Sequence, residues 1–247
     1  SYGLSLGKFS KEELENEIKK YKDVVVHRFS YITDEYSGQK AIMNKDILDV
    51  MEIKEGEYWL GLKKARFFSW FYPFANPHVE QPKESPSRAY LQMVEAFIWS
   101  NYKPEEDEVA LELGSAPGGA SYAMVQRGIR VTGVDNAEMS ETLLNHPLFT
   151  HIKEPMQKVR DEHIPRPCHL LISDVNVMPS LNLSQVKRFM QLRPGIKNVF
   201  YTLKIGSKIT VPEILEHAKT FKRFGFREVG ITQLPSSKSE ILLFGKK

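Results

Sequence analysis

The stretch Val109-Ala110-Leu111-Glu112-Leu113-Gly114-Ser115-Ala116-Pro117-Gly118-Gly119-Ala120 decides how this chain is read. A short apolar run reads as a buried strand, a glycine-bearing loop follows, and residues 120–127 read as a helix. A second strand is expected over Arg130–Val134, and it ends on the acidic Asp135, twenty-one residues beyond Gly114. In open α/β sheets a ligand lies beyond the carboxyl ends of the strands, where the first loop meets its helix. Gly114 lets the chain turn sharply out of the strand, and Gly118 and Gly119 remove side chains where backbone must approach a ligand. The helix start beyond them favours an anion, and Asp135 is placed to accept hydrogen bonds from ribose hydroxyls.

Strands and helices alternate outward from this segment. A helix is expected over 88–100, where Leu91, Val94 and Ile98 share one side, and buried strands over 169–173 and 199–203 with a helix over 183–192 between them. Residues 210–224 carry strong helix signals: Thr210 as N-cap, Pro212 in the first turn, Glu213 completing a capping box and Gly225 as the stop. Segments 227–233 and 240–244 form a closing hairpin. The expected fold is therefore α/β, a mostly parallel seven-stranded sheet covered by helices and ended by an antiparallel hairpin.

The N-terminal part reads differently. A capping box of Ser10 and Glu13 opens a helix over 11–21, a strand follows at 24–29, and 42–51 is less decisive. The aromatic-rich segment 57–74 reads as strand. Four prolines between 73 and 86 place the boundary there, giving a small α+β domain at 1–80 and the main domain at 81–247.

Composition is that of a globular chain: of 247 residues, 41% are hydrophobic and 26% charged, enough apolar side chains for a sizeable core. No apolar run is long enough to cross a bilayer and no charged-then-apolar leader is visible, so a cytoplasmic protein without a membrane partner is expected. The single Cys168 excludes an intrachain disulfide and a cysteine-based metal cluster; within Cys168-His169-Leu170-Leu171-Ile172 it reads as a core filler, and no metal is expected. The net charge of +3 arises after residue 80, an excess that permits a nucleic-acid substrate without requiring one.

Two cofactors suit the loop geometry, a dinucleotide and S-adenosylmethionine. A dinucleotide fingerprint is G-x-G-x-x-G, whose backbone wraps a pyrophosphate. Here the spacing is G-x-x-x-G-G with Pro117 inside it, which favours a ligand whose only anion is a carboxylate, and so S-adenosylmethionine. Val175-Asn176-Val177-Met178 after Asp174 lacks the N-P-P-Y pattern of enzymes that methylate base amino groups.

Leu113-Gly114-Ser115-Ala116-Pro117-Gly118-Gly119 resembles the L-G-x-x-P-G-G signature of FtsJ-like RNA 2′-O-ribose methyltransferases. The likeness runs from about Tyr58 to the C-terminus through Trp59-Leu60-Gly61, Pro86-Ser87-Arg88, Glu95-Ala96-Phe97, Gly133-Val134-Asp135-Asn136, Ser173-Asp174, Leu203-Lys204 and Glu240. It is strongest to the bacterial members that methylate cytidine of 23S ribosomal RNA and carry a THUMP RNA-binding domain first. The first 55 or so residues are short for a THUMP domain, leaving a reduced relative or an unrelated cap.

The resemblance implies a Rossmann-like S-adenosylmethionine-dependent methyltransferase fold. It also implies a catalytic Lys-Asp-Lys-Glu tetrad, of which Asp174, Lys204 and Glu240 are present. The cofactor would be held by Gly114, Ser115, Pro117, Gly118, Gly119, Ala120, Asp135, Glu154 and Asp174. Three positions depart from the pattern. Gln92 stands where the first lysine is expected, Pro155 where an aspartate helps hold adenine, and Ala120 where an aromatic often follows the glycines. Asp174 and Lys204 are also legible from the residues alone, each following a buried strand at the crevice end.

A lysine acts as a base only when neutral. Without a second cation nearby, two carboxylates keep Lys204 protonated, so a weakened or differently organised enzyme is expected. RNA, ribosomal RNA in particular, would enter along Lys83, Arg88, Lys204, Lys208 and Lys238, with Trp70, Phe71, Tyr72 and Tyr90 available for stacking. The alternative is a module that binds S-adenosylmethionine or RNA, has lost catalysis, and serves as an assembly or regulatory partner.

Overall fold

The computed structural model describes residues 4–66, 68–205 and 209–247, so Lys208 lies outside the described residues. The chain divides into two compact units, Ser1–His78 and Val79–Lys247.

The first unit contains β1 (Leu4–Phe9), α1 (Lys11–Ile18), β2 (Val25–Ser30), β3 (Glu35–Gly38), β4 (Asp46–Lys54) and β5 (Glu57–Lys64). The strands form one sheet in the order β1-β5-β4-β2-β3, with β2 and β4 parallel and the other neighbours antiparallel. The expected capping box starts α1: Glu13 Oε2 accepts from Ser10 N at 2.8 Å, and Ser10 Oγ from Glu13 N at 3.4 Å. Leu14 on α1 buries itself against Leu48, Val50 and Leu60 on one face of the sheet.

The strand expected to run to residue 74 stops at Lys64. Beyond it lie two single turns, Phe68–Phe71 and Pro73–Ala75. Pro73 has no N–H to give a ladder, and Phe74 turns into the left-handed region (φ 52°). There its ring packs at 5.6 Å from Phe29 and 6.1 Å from Tyr36. The aromatic content signalled ring packing rather than a pleated strand.

The second unit contains α2 (Ala89–Ser100), β6 (Val109–Leu113), α3 (Gly119–Val125), β7 (Arg130–Val134), α4 (Glu141–Leu144) and β8 (Phe149–Ile152). After these come β9 (Leu170–Ser173), α5 (Pro179–Leu192), β10 (Asn198–Lys204), α6 (Val211–Arg223), β11 (Glu228–Thr232) and β12 (Glu240–Lys246). The seven strands lie in the order β11-β12-β10-β9-β6-β7-β8, all parallel except β12, which runs antiparallel to both neighbours. This is the expected doubly covered sheet with its terminal hairpin.

Alternation along the strands feeds two cores, because successive side chains point to opposite faces. Ala110, Leu170, Ile172, Phe200, Leu242 and Phe244 pack with Met93, Val94 and Phe97 of α2 and Ala123 and Met124 of α3. The intervening Leu111, Leu113, Leu171, Tyr201, Leu203 and Leu243 pack with Val186, Phe189 and Met190 of α5 and Phe221 of α6. Cys168 is a buried part of the second core, and burial pushes its thiol up to about 12.

Pro179 occupies the first turn of α5 and starts it four residues earlier than its apolar spacing suggested. The strand order reverses between β6 and β9: β7 lies to one side of β6 and β9 to the other. A crevice therefore opens at the carboxyl ends of β6 and β9.

Candidate active site

A cavity of about 450 Å³ lies in that crevice, a size that suits a small-molecule ligand. Gly114, Asp135, Glu154 and Asp174 are among its walls, together with apolar Val134, Met156 and Val175. Gly114 has φ +79°, and a Cβ there would press into the Asp174 carbonyl and stand 2.8 Å from Val175 Cγ1. Glycine is therefore required where the loop leaves β6 and crosses the end of β9. Asp135 Oδ2 accepts from Ala116 N at 3.1 Å and its Oδ1 from Ala137 N at 2.9 Å. Each carboxylate oxygen keeps a further lone pair for a ligand hydroxyl. Apolar walls for a ring and carboxylates for hydroxyl and amino groups fit the nucleoside part of S-adenosylmethionine.

Gly118 and Gly119 have a packing role that the sequence reading did not include. A Cβ on Gly118 (φ +116°) would strike Leu143 and stand 2.9 Å from Met139 Sδ. One on Gly119 would strike Ser87 and stand 2.9 Å from Tyr90 N. The two glycines let α3 sit close to α2 and to the α4 region. Both are buried, as are Ser115 and Ala120, while Pro117 is exposed.

Beside this cavity the ends of β9, β10 and β12 bring three charged groups together. Lys204 Nζ lies 2.6 Å from Asp174 Oδ1 and 2.5 Å from Glu240 Oε1. The antiparallel register sets Lys204 directly opposite Glu240, and β9 ends alongside them. Gln92 on α2 completes the group: its Nε2 donates to Glu240 Oε2 at 2.6 Å and to Ser237 Oγ at 3.3 Å. Burial works to lower the Lys204 ammonium, but the Asp174 and Glu240 carboxylates outweigh it and hold the lysine above its ordinary range. Burial raises Asp174 in spite of Lys204 beside it.

Residues 86–240 match the family described as FtsJ-like methyltransferase. The chain belongs to that family. A "ribosomal RNA large subunit methyltransferase M" of Pseudomonas syringae pv. tomato is 30% identical over 207 residues, covering 78% of this chain and 56% of the relative. The protein of the same name from Azoarcus sp. is 28% identical over 211 residues, covering 80% and 56%. The chain thus spans about half the length of the curated relatives it matches.

Among solved structures, a Plasmodium falciparum chain assigned as a ribosomal RNA methyltransferase superposes with a TM-score of 0.50 at 18% identity, covering 66% of this chain and 97% of its own. A Streptococcus thermophilus chain assigned as a hemolysin reaches 0.53 at 15% identity, covering 96% and 82%. At these identities the likeness shows the fold alone. FtsJ-like methyltransferases use S-adenosylmethionine as methyl donor.

The four positions that the resemblance set out as a tetrad, Gln92, Asp174, Lys204 and Glu240, lie in one connected group, with a neutral side chain at the first of them. Gln92 reaches the glutamate as a neutral donor. Ala120 borders a small cavity of about 30 Å³ that Gln92, Asp174 and Ser237 also line. Pro155 and Glu154 both line the cofactor cavity.

Sequence reasoning gave no individual role to three polar residues near the site. Glu95 is buried on α2, and its Oε2 accepts from Ser236 N at 3.0 Å and Ser236 Oγ at 2.7 Å, anchoring the loop that leads into Glu240. Ser237 binds Gln92 from the same loop. Glu112, fully buried on β6, is pushed up to about 8 by burial, with Ser121 Oγ donating to it and Asp174 and Asp135 adding to the rise. Its place inside an apolar strand is a sequence signal, because an unpaired charge there is costly. Tyr90, read as a stacking aromatic, is instead buried between α2 and α3, with its hydroxyl 3.3 Å from Gln126 Oε1.

Among the described residues no group of three or more His, Cys, Asp or Glu side chains is arranged to hold a metal. Nor is any described helix long and apolar enough to cross a membrane.

Proposed function

We propose that this chain transfers a methyl group from S-adenosylmethionine to a ribose 2′-hydroxyl of RNA, that the RNA is ribosomal, and that the reaction takes place in the cytoplasm. One observation carries the reading: Asp174 is at once a wall of the cofactor cavity and a partner of Lys204. The donor cavity and the charged cluster therefore meet at a single side chain. Asp135 would take the ribose hydroxyls of the cofactor, Gly114 would let the loop pass close to it, and Glu154 would lie along its adenosine. When bound, the cofactor supplies an electrophilic methyl group on a sulfonium.

The protein's share is to place the hydroxyl in line and to manage its proton, and positioning is the larger contribution. Lys204, kept as an ammonium by two carboxylates, donates a hydrogen bond to the hydroxyl oxygen and makes its proton easier to lose. Asp174, whose proton affinity burial raises, would receive that proton. Glu240 orients Lys204 and is itself held by Gln92. Exposed Lys83, Arg88 and Lys238 provide cationic contacts for the RNA backbone.

The test supplies tritiated S-adenosylmethionine with total RNA, ribosomal subparticles and a protein pool, for the wild type and Lys204→Ala. Label is expected in RNA, in nucleotides resistant to alkaline cleavage, and the variant is expected to lose about 10²-fold or more of the rate. Label confined to protein refutes the reading.

A further inference from the structure

A second cavity of about 450 Å³ adjoins the catalytic cluster between the N-terminal turns of α5 and α6, and it shares no lining residue with the cofactor cavity. Lys204 stands at its edge, and Met178, Pro179, Ile209 and His217 form its walls. Met178 is 73% exposed, an apolar and polarizable side chain held at the rim with little packed against it. Besides Lys204, the polar lining is Glu213, Glu216, Ser180 and His217. Glu213 uses Oε2 to cap α6, and Glu216 is paired with Lys219 and Arg223. Two carboxylates in the lining disfavour a phosphate and favour a ligand that presents N–H donors.

The tautomer of His217 follows from its neighbour. Tyr201 Oη lies 3.2 Å from Pro179 O and 3.3 Å from His217 Nδ1. A carbonyl has no proton, so the tyrosine must donate to Pro179, and its oxygen then accepts from Nδ1–H. Burial lowers His217, which keeps the ring neutral. Its Nε2 is therefore an acceptor, and among the described residues it has no hydrogen-bond partner.

The geometry points to a nucleobase pocket: the base of the nucleotide whose ribose reaches Lys204 enters between Met178 and His217, and its exocyclic amino group donates to His217 Nε2. This rests on the reading of the site as an RNA ribose methyltransferase and adds a base preference to it. Cytosine, adenine and guanine carry such an amino group, whereas uracil has none and would set the carbonyl oxygens flanking its single N–H against acceptors. His217 thus acts as a specificity residue, while Met178 gives the flat face of the base an apolar contact.

The test has two arms on the full chain. In the first, RNA methylated by the wild type is digested to nucleosides, and the 2′-O-methylated product is identified by mass spectrometry. An amino-bearing nucleoside is expected, and 2′-O-methyluridine as the main product overturns the inference while leaving the ribose methyltransferase reading intact. In the same assay His217→Phe, which keeps a ring and removes the acceptor, is expected to raise KM for RNA about tenfold with kcat nearly unchanged, and His217→Gln, which restores an acceptor, to recover most of the loss. An unchanged KM in His217→Phe refutes the pocket.

The second arm titrates cytidine, adenosine and uridine, each alone, into the wild type and follows the His217 ring by NMR. Shifts with the first two and not with uridine support the pocket, and equal or absent responses overturn it. This arm decides the pocket even if no RNA is methylated, in which case the functional reading fails separately.

Discussion

Gln92→Lys restores a cation to the one position of the cluster that lacks it, and the consequence can be worked from the distances. Gln92 Nε2 and Lys204 Nζ sit on the two oxygens of the same carboxylate, at 2.6 and 2.5 Å. A lysine ammonium taking the glutamine's place would stand about 5 Å from that of Lys204. Two unit charges at about 5 Å and an effective dielectric of about 20 repel by about 3 kcal/mol, roughly a hundredfold in proton affinity. Solvent reaches Lys204, whose side chain is 29% exposed, so a tenfold to hundredfold effect is the reasonable range.

Lys204 is now held above its ordinary range. Its proton loss therefore falls beyond the pH at which RNA survives a short assay, and the wild-type rate is expected to show no alkaline limb. In Gln92→Lys that limb moves down by about one to two pH units, toward the assay range. Its direction is informative: a rate that falls as Lys204 deprotonates fits an ammonium that polarises the hydroxyl. A rate that rises would make neutral Lys204 the base and refute the proton path through Asp174. The measurement is single-turnover methyl transfer between pH 6 and 10, with the RNA checked for integrity at each pH. A profile that superposes on the wild type refutes the coupling itself.

Glu112 is pushed up to about 8 from 4.5, so between those values the folded chain holds a proton that the unfolded chain has released. Stability therefore declines as pH rises from about 4.5 to about 8 and levels off above, by at most about 5 kcal/mol. Glu112→Gln is expected to match the wild type near pH 5 and exceed it at pH 8 in urea denaturation; parallel curves would sink the assignment. Gly114→Ala forces a side chain into the Asp174 carbonyl at a left-handed φ, and a loss of about 2–4 kcal/mol is expected together with weakened S-adenosylmethionine binding by calorimetry. A variant with unchanged melting temperature and affinity would show that the loop tolerates a Cβ. Replacing Lys83, Arg88 and Lys238 together by alanine should weaken RNA binding and flatten its dependence on salt, and an unchanged slope would place the RNA elsewhere.

What could be read from the sequence was what is local. The run from Val109 to Asp135 encodes strand, loop, helix and strand within a few residues of one another, and the capping signals at Ser10 and Thr210 mark helix starts that the structure contains. The reading was weakest wherever a residue type has two uses. Glycine permits a ligand or a helix to come close, and at Gly118 and Gly119 it is the helix packing that needs it. Aromatic side chains suit a strand or a cluster, and after Lys64 they form the cluster, because Pro73 cannot support a ladder. Asp174 and Lys204 were legible because each follows a buried strand. The link from Gln92 to Ser237 was not, since 145 residues separate them and only the folded sheet brings α2 against the final hairpin.

The departure at Gln92 changes charge more than shape. A lysine and a glutamine both offer N–H donors at the end of a flexible stem, and Glu240 accepts from Gln92 while its other oxygen holds Lys204. The orientation of Lys204 is thus preserved, which a site released from function would have no physical need to keep. What the glutamine cannot supply is a second positive charge between two carboxylates, so Lys204 keeps its proton, and the proposed mechanism uses it as an ammonium. The proton then has one nearby destination whose affinity for it burial has raised, Asp174, and that side chain also walls the cofactor cavity. In the proposed reading, a neutral Gln92 thus assigns the proton to Asp174 rather than to Lys204, with Lys204 and Glu240 held as the structure has them.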